Sequence, residues 1–600
     1  MLENKTLKIY NSLTREIEEF RPARGRKIFM YVCGPTVYDY MHLGHMKTYV
    51  FYDVLARYLS YKGFTVYFLM NITDVDDKII NRAIERRIIV SLSKSEKKVG
   101  ELIGEFQVGF EYIRDRIIEL IKSGYVELYG HPEMRDELIR LERNILQADE
   151  EERKRYEEMY ENLKRWIRED SLVKITSAGV KVVEEIEANN LKLDPIGLAR
   201  EFEKYFKEDL EKLGINTITM FARASEFIDE IVELASKLIE KGYAYDTPTA
   251  LYFDSSKFKE YGKLSGVDPE REYRVHRIEP DPNKKNDADW ALWRKIREGY
   301  PKEPAWNSPW GLGRPGWHIE DTTIIIEMLG DQIDIHGGAK ELMFPHHEAE
   351  IAQAEAYTDV KPCVRYWVHT DVLTVNGKKM SKSLGNYITV RDALKIFDPE
   401  VLRYWVLLTR YRHRMDLRLP FDPDPLNPIK PEHLLETPIK QAEQGLERLY
   451  NVIRYASSMP RDERYDEDSK KIEEELELMK ERILEALDND IDTARALAEL
   501  HEYATKFFKY CQERKTINMQ VAEKTIKVFR EIGSILGILQ KDLEKISDEK
   551  VKELIKLIVG IREKLRKNKQ YELADEIRQK LKEIGIILED TPQGTLVHIT

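Results

Sequence analysis

Two histidines that flank a glycine are the first residues whose spacing suggests chemistry. His42 and His45 surround Gly44 where a predicted strand gives way to a predicted helix. Unpaired N–H groups and the dipole at a helix N-terminus attract phosphate, and a glycine lets a ligand approach the backbone closely. The pattern predicts a polyphosphate site. For so short a motif taken alone, helix-capping or core histidines are the alternative.

A lysine-rich loop is the second candidate. Lys379 and Lys382 lie between two glycine-containing turns, Asn376-Gly377 and Leu384-Gly385. Lysine ammonium groups on such a loop can neutralise the charge that develops on phosphate oxygens during phosphoryl chemistry. A solvated basic loop is the alternative for this segment by itself.

A third group contains residue types that bind a metal ion. His346 and Glu350 are four residues apart in a helix-like stretch, so both side chains lie on one face. Cys33, at the end of the first predicted strand, can supply a thiolate. The three residues together predict one metal site, whereas His346 alone would be read as an ordinary buried histidine.

The elements around these residues predict a parallel nucleotide-binding sheet. The apolar runs 27–32 and 65–70 are typical of buried strands, and Val50, Val54 and Tyr58 have the spacing of a helix between them. Strand, helix and strand within about forty residues form a βαβ unit. We therefore predict an α/β fold with a Rossmann-like catalytic domain that is split by insertions.

Composition divides the rest of the chain. Residues 141–170 contain 17 charged positions out of 30, against 34% for the whole chain, which predicts a solvated helical insertion. Five prolines between positions 420 and 431 mark a boundary, and the residues after them read as a helical bundle. The predicted domains are a first catalytic half (1–87), a charged helical insertion (88–195), a connective region with the second catalytic half and the lysine loop (196–395), a stem-contact segment with a proline-rich linker (396–431), a helical bundle (432–540) and a small C-terminal domain (541–600).

Charge and cysteine content restrict the class of protein. The net charge of −12 argues against a protein that coats nucleic acid non-specifically, although residues 551–600 carry +2 and leave room for a local basic surface. No stretch has the length and apolar character of a signal peptide or a membrane span. Three cysteines cannot form a disulfide framework. We expect a cytoplasmic enzyme without a membrane partner.

The two phosphate-directed motifs together resemble the signature of class I aminoacyl-tRNA synthetases. Five further segments are similar to cysteinyl-tRNA synthetases: Cys33-Gly34-Pro35-Thr36-Val37-Tyr38-Asp39, Asn71-Ile72-Thr73-Asp74-Val75-Asp76-Asp77, Gly313-Arg314-Pro315-Gly316-Trp317-His318-Ile319-Glu320, Asp334-Ile335-His336-Gly337-Gly338 and Phe344-Pro345-His346-His347-Glu348. The resemblance covers the chain except for the insertion. It implies a monomeric ligase that activates L-cysteine with ATP and Mg²⁺, releases pyrophosphate and transfers cysteine to the 3′ end of tRNA(Cys).

The resemblance also implies roles for individual residues. The catalytic positions are His42, His45, Lys379 and Lys382, and the ATP-binding positions are His42, Gly44, His45 and Lys382. The amino-acid pocket corresponds to Gly34, Thr36, Thr73 and Trp317. The helical bundle and the C-terminal domain correspond to the parts that read the anticodon stem and loop.

The chain departs from the family at one zinc ligand. The family's zinc holds the thiolate of the substrate, and three of its ligands match Cys33, His346 and Glu350, but Asp321 stands where the family has a cysteine. Three outcomes are open: Asp321 coordinates zinc through oxygen, the other three residues form an open three-ligand site, or the metal is absent. We expect zinc with Asp321 as its fourth ligand.

Two other functions are compatible with parts of this resemblance. One is an ATP-dependent cysteine ligase that acts on a small amine such as an amino-sugar, whose known members lack the C-terminal anticodon-reading parts. The other is a non-catalytic tRNA-binding paralogue. The long region after the prolines favours tRNA as the acceptor, and the two intact motifs favour catalysis.

Overall fold

The computed structural model describes residues 6–267, 281–380, 384–424, 428–542, 548–583, 586–591 and 594–599. The chain forms two compact units, Met1–Leu539 and Gln540–Thr600. No helix among the described residues is long and apolar enough to cross a membrane.

A five-stranded parallel sheet organises the first unit. Its strand order is Val364–Thr370, Ile333–Ala339, Lys27–Val32, Thr65–Ile72 and Met220–Arg223. Ile28, Met30 and Val32 of the central strand are fully buried, as expected for a strand covered on both faces. The carboxyl ends of parallel strands meet at one edge, where ligands bind in such sheets. The predicted βαβ unit and α/β class are confirmed.

Most helices of the catalytic part connect or cover these strands. Helix Leu43–Tyr61 follows the central strand, and most of its residues are buried. Within the described residues, the other helices of this part are Asp77–Lys94, Pro195–Lys212, Ile228–Glu240, Trp317–Leu329, Glu348–Thr358, Val390–Leu394 and Pro399–Leu407.

Short strands complete the catalytic part. An antiparallel sheet has the order Gly313–Pro315, Trp290–Lys295, Ala250–Phe253 and Ala244–Asp246. A hairpin pairs Lys8–Asn11 with Glu16–Glu19, and a small sheet joins Lys378–Lys379, Leu373–Val375 and Met415–Leu417.

The charged insertion has a hydrophobic core of its own, built around Ile88, Leu102, Ile113, Ile117 and Leu138. Its helices are Val99–Phe106, Phe110–Lys122, Met134–Gln147, Glu150–Lys164 and Ser177–Ala188. It also contains a three-stranded sheet of Lys97–Lys98, Leu172–Ile175 and Val126–Leu128, which the sequence analysis did not predict because these strands are only 2 to 4 residues long.

A bundle of four long helices follows the proline-rich segment: Pro438–Ser458, Glu467–Asp488, Thr493–Gln512 and Met519–Leu536, with two-residue strands Arg461–Asp462 and Ile517–Asn518 between them. It packs against the catalytic part through polar groups as well as apolar ones. The buried Arg403 places Nη2 2.7 Å from Asp53 Oδ2 and also donates to Leu536 O. Removing one partner of such a buried pair costs about 3–5 kcal/mol.

The second unit consists of two helices, Asp548–Lys567 and Tyr571–Glu583, and an antiparallel hairpin of Ile586–Thr591 and Gly594–Ile599. Ile555, Val559, Leu581 and Leu588 form its small core.

Candidate active site

His42 and His45 lie at the start of the helix that follows the central strand. His42 is the N-cap residue: its Nδ1 accepts hydrogen bonds from Gly44 N at 3.0 Å and from His45 N at 3.3 Å. Because Nδ1 accepts, the ring proton is on Nε2, which remains a donor for a ligand. The two imidazole rings stack with their centroids 3.7 Å apart. His42 therefore combines the capping role with a free N–H donor.

Both imidazoles are neutral near pH 7. Burial, with a smaller contribution from Lys78, lowers the pKa of His45 to about 4. Burial, together with His45 and Lys379, holds the pKa of His42 well below its ordinary value. His45 Nδ1 is buried and has no hydrogen-bond partner among the described groups. The pair can offer N–H donors to phosphate oxygens.

These pKa shifts predict that acid destabilises the fold. The pKa of His45 in the folded chain lies below its unfolded value of 6.5, so the unfolded state binds more protons and stability falls as the pH drops from 6.5 towards 4. Between pH 7 and pH 5 His45 alone accounts for about 2 kcal/mol. Urea denaturation at both pH values measures this loss, which the variant His45→Asn should reduce.

The exposed His413 supplies the matched control for this measurement. His413→Asn should keep the pH dependence of the wild type, because this side chain does not line the cavity that contains His45. An equally steep loss of stability in His45→Asn would contradict the assignment.

The lysine-rich loop approaches the same place. Lys379 Nζ lies 2.8 Å from the carboxylate of Glu341, and both residues line a cavity with His42 and His45. The side chain of Met380 reaches Gly44, where an added Cβ would lie 3.3 Å from Met380 Cε and 2.8 Å from the His42 ring. A larger residue at position 44 would therefore clash with the His42 ring and crowd Met380 of the lysine-rich loop. Lys382 lies outside the described residues, so its role stays a prediction.

One cavity of about 240 Å³ brings most of the predicted site residues together. Its lining includes Cys33, Gly34, Thr36, His42, Gly44, His45, Trp317 and Lys379. At Gly34 an added Cβ would lie 1.8 Å from Asn71 O, so only glycine fits, and its N–H donates to Asn71 Oδ1 at 2.6 Å. Trp317 is 39% exposed and stacks on His346, so it is a wall of the cavity and not a core residue.

Thr73 is the predicted pocket residue that does not line this cavity. It is buried at the end of the strand Thr65–Ile72, and its hydroxyl accepts a hydrogen bond from Asn71 Nδ2 at 3.1 Å. Its backbone N–H donates to Pro35 O, which holds the cavity-lining segment at Gly34 and Thr36 in place.

The four predicted metal ligands lie together beneath the cavity. Cys33, Asp321, His346 and Glu350 are buried, and one donor atom from each lies within 4.8 Å of the others. His346 Nε2 lies 3.0 Å from both Asp321 Oδ2 and Glu350 Oε1. Cys33 directly follows the central strand, Asp321 lies in helix Trp317–Leu329, His346 lies in the short helical segment Met343–His347, and Glu350 lies in helix Glu348–Thr358.

The electrostatics of this cluster fit a bound cation. Asp321 Oδ1 and Glu350 Oε1 are buried without a hydrogen bond from any described group. Burial raises the pKa of Cys33, and the carboxylates of Glu350 and Asp321 raise it further. Burial also raises the pKa of Glu350; the nearby His346 lowers this pKa, and the carboxylate of Asp321 raises it. A thiol, an imidazole and two carboxylates that repel one another are a donor set that a zinc ion stabilises.

Comparison with known proteins decides the family. The description "tRNA synthetases class I (C) catalytic domain" matches residues 19–419, and "DALR domain" matches residues 482–540. Cysteine–tRNA ligases of Thermococcus onnurineus and Thermococcus gammatolerans are each 36% identical to this chain, with 98% of both chains covered. That of Carboxydothermus hydrogenoformans is 35% identical, over 98% of this chain and 99% of its own. The chain belongs to the cysteine–tRNA ligase family.

In this member of the cysteine–tRNA ligase family, four further histidines lie close to the four candidate metal ligands, and the sequence analysis gave them no role: His318, His336, His347 and His369. His347 Nε2 lies 3.1 Å from Cys33 Sγ, and His347 Nδ1 lies 2.8 Å from His369 Nε2. His336 Nε2 lies 2.6 Å from Glu350 Oε2.

Two of these rings create a second donor set, Cys33, His336, His347 and Glu350, which overlaps the first. His336 and His347 belong to segments that resemble the family, but sequence spacing does not show which of the two rings lies next to Cys33.

Proposed function

We infer that this protein is a cysteine–tRNA ligase. It activates L-cysteine with ATP to cysteinyl-adenylate and pyrophosphate, and it transfers cysteine to the 3′ end of tRNA(Cys). The observation that carries the inference is the cavity in which the metal-ligand candidate Cys33, the wall residue Trp317, the His42–His45 pair and Lys379 meet. One site can thus hold a thiol-bearing amino acid beside a polyphosphate.

Activation is a displacement at the α-phosphorus of ATP. A carboxylate oxygen of cysteine forms a bond to this phosphorus while the bond to the bridging oxygen breaks, and pyrophosphate leaves with the electron pair. His42 and His45 bind the phosphates as neutral donors, and His42 Nε2–H is oriented by the two hydrogen bonds that Nδ1 accepts. Lys379, together with Lys382, provides positive charge where negative charge develops. Mg²⁺ accompanies the ATP as a further part of this proposal.

Zinc is the proposed metal, held by Cys33, His346, Glu350 and Asp321. When bound, zinc recognises the thiolate of cysteine, for which the hydroxyl of serine competes poorly. The orphaned Asp321 Oδ1 supports Asp321 as the oxygen ligand that replaces the family's cysteine. Trp317, stacked on His346 with ring centroids 3.9 Å apart, fixes the orientation of that imidazole.

Transfer requires the terminal ribose of tRNA to attack the carbonyl carbon of the adenylate, which releases AMP. We propose that the helical bundle and the C-terminal unit read the anticodon arm, since the DALR match covers the second half of the bundle. We further propose a monomer in the cytoplasm, where three free thiols, Cys33, Cys363 and Cys511, remain reduced.

Cysteine-dependent exchange between pyrophosphate and ATP tests the activation step. Purified protein should catalyse exchange with L-cysteine and show at most a small fraction of this rate with L-serine. Exchange that proceeds equally well with serine, or without any amino acid, would contradict the assignment of the pocket.

A further inference from the structure

A second cavity, of about 910 Å³, adjoins the first one. The two cavities share His42, His45 and Lys379 in their linings. One wall of the larger cavity is the segment Pro35–Met41, and the facing wall belongs to the insertion. The insertion contributes the end of helix Phe110–Lys122, the turn that follows it and one face of helix Met134–Gln147.

Several contacts attach the insertion to the catalytic part. Helix Asp77–Lys94 begins at the sheet edge, and its second half enters the core of the insertion at Ile84 and Ile88. Arg86 Nη1 of the catalytic part donates to Lys192 O of the insertion at 3.0 Å, and Gly109 N of the insertion donates to Gly299 O at 2.7 Å. Arg143 of the insertion forms an ion pair with Asp424. These contacts join the insertion to the catalytic part and to the segment that follows it.

The lining combines aromatic rings with cations. Tyr38 and Tyr40 come from the catalytic wall, and Tyr125 comes from the insertion. Lys78, exposed at the rim, lies 5.6 Å from the centre of the Tyr38 ring. Aromatic side chains that stack on unpaired bases, next to cations that contact phosphates, are typical of sites for single-stranded nucleic acid.

Arg135 is the insertion's available cation in this cavity. Its Nε donates to Lys122 O at 3.3 Å, and it forms no ion pair with a described carboxylate. Lys122, in contrast, lies 2.9 Å from a carboxylate oxygen of Glu119 and 2.7 Å from one of Glu142. The charge of Lys122 is therefore neutralised within the insertion, whereas Arg135 lines the cavity without such a carboxylate partner among the described residues.

We propose that this insertion-walled cavity binds the unpaired 3′-terminal nucleotides of tRNA and directs the terminal ribose to the adenylate. The proposal rests on the proposed function, because only an enzyme that charges tRNA must admit a strand to the smaller cavity. The volume of the larger cavity is close to the maximum of the roughly 300–1,000 Å³ that is usual for small-ligand sites. The smaller cavity already contains the groups that act on cysteine and ATP, so the larger cavity is available for another ligand. The larger cavity reaches His42 and Lys379, which also line the smaller cavity, and the 3′ end of the acceptor strand must reach this point.

The test compares two steps of one reaction in the full chain. Arg135→Ala and Tyr125→Ala are each expected to raise KM for tRNA in cysteine charging by roughly tenfold, with a much smaller effect on cysteine-dependent exchange, which uses no tRNA. Affinity is measured by filter binding with intact tRNA(Cys) and with tRNA trimmed of its last four nucleotides. The wild type should prefer the intact tRNA, and both variants should lose this preference.

Matched controls lie on the outer surface of the insertion. Arg155 and Tyr129 are exposed and lie away from the cavity, so Arg155→Ala and Tyr129→Ala should charge tRNA as the wild type does. Equal losses of exchange and charging in Arg135→Ala would overturn the proposal and assign the cavity to ATP. An unchanged preference for intact tRNA in both test variants would overturn it as well. Absence of exchange in the wild type would instead contradict the proposed function itself.

Discussion

Replacing His42 by alanine or by asparagine is expected to reduce cysteine-dependent exchange by roughly 10²–10³-fold in both variants, the usual cost of losing one aligned donor to a transition state. The Nε2–H of His42 points away from the helix N-terminus that its Nδ1 caps, and neither substitute retains this donor. Exchange rates at saturating cysteine and ATP measure the loss.

The two substitutions separate catalysis from capping. Asparagine is among the best N-cap residues, whereas alanine leaves the N–H groups of Gly44 and His45 without a partner at a cost of about 1 kcal/mol. Thermal denaturation should therefore show a clear loss of stability for His42→Ala and a smaller one for His42→Asn. Near-normal exchange in His42→Asn would mean that His42 serves only as a cap.

Replacing Cys33 by serine is expected to remove stoichiometric zinc and to lower cysteine activation by more than roughly 100-fold. Zinc prefers a thiolate to a hydroxyl, and the remaining His346, Asp321 and Glu350 would keep two buried carboxylates close together. Elemental analysis of protein purified without added zinc gives the metal content, and exchange assays give the activity.

Cys511 supplies the control for this change. It is a buried free thiol in the helical bundle, far in sequence from the donor set, so Cys511→Ser should keep both zinc and activity. One zinc per chain in Cys33→Ser would point away from Cys33 as a ligand. A wild type without stoichiometric metal would contradict the zinc site as a whole.

Local patterns in the sequence were enough to predict the parallel sheet and to select Cys33, the two histidines and Lys379, whereas Gly34, Thr36 and Trp317 were implied by the family resemblance. The strand Lys27–Val32 has the predicted bounds, because a continuous apolar run followed by Gly34-Pro35 is both a buried strand and its end. The i, i+4 spacing of His346 and Glu350 predicted that their side chains lie together, and His346 Nε2 is 3.0 Å from Glu350 Oε1.

Contacts between distant segments could not be predicted in the same way. Nothing in the spacing of His336 and His369 from Cys33 shows that parallel strand pairing brings their rings to the same cluster. The orientation of the insertion relative to His42 also depends on contacts such as the hydrogen bond from Gly109 N to Gly299 O, which joins segments far apart in the chain. Composition indicated a charged helical insertion, but not which of its faces covers the catalytic cavity.

Charging of tRNA(Cys) with cysteine by the purified chain tests the central claim most directly. Transcribed tRNA(Cys), radiolabelled cysteine and ATP should yield acid-precipitable, base-labile cysteinyl-tRNA with release of one AMP per cysteine transferred. A tRNA of another specificity should remain uncharged. Exchange without any transfer to tRNA, or transfer only to a small amine such as an amino-sugar, would contradict the assignment as a cysteine–tRNA ligase.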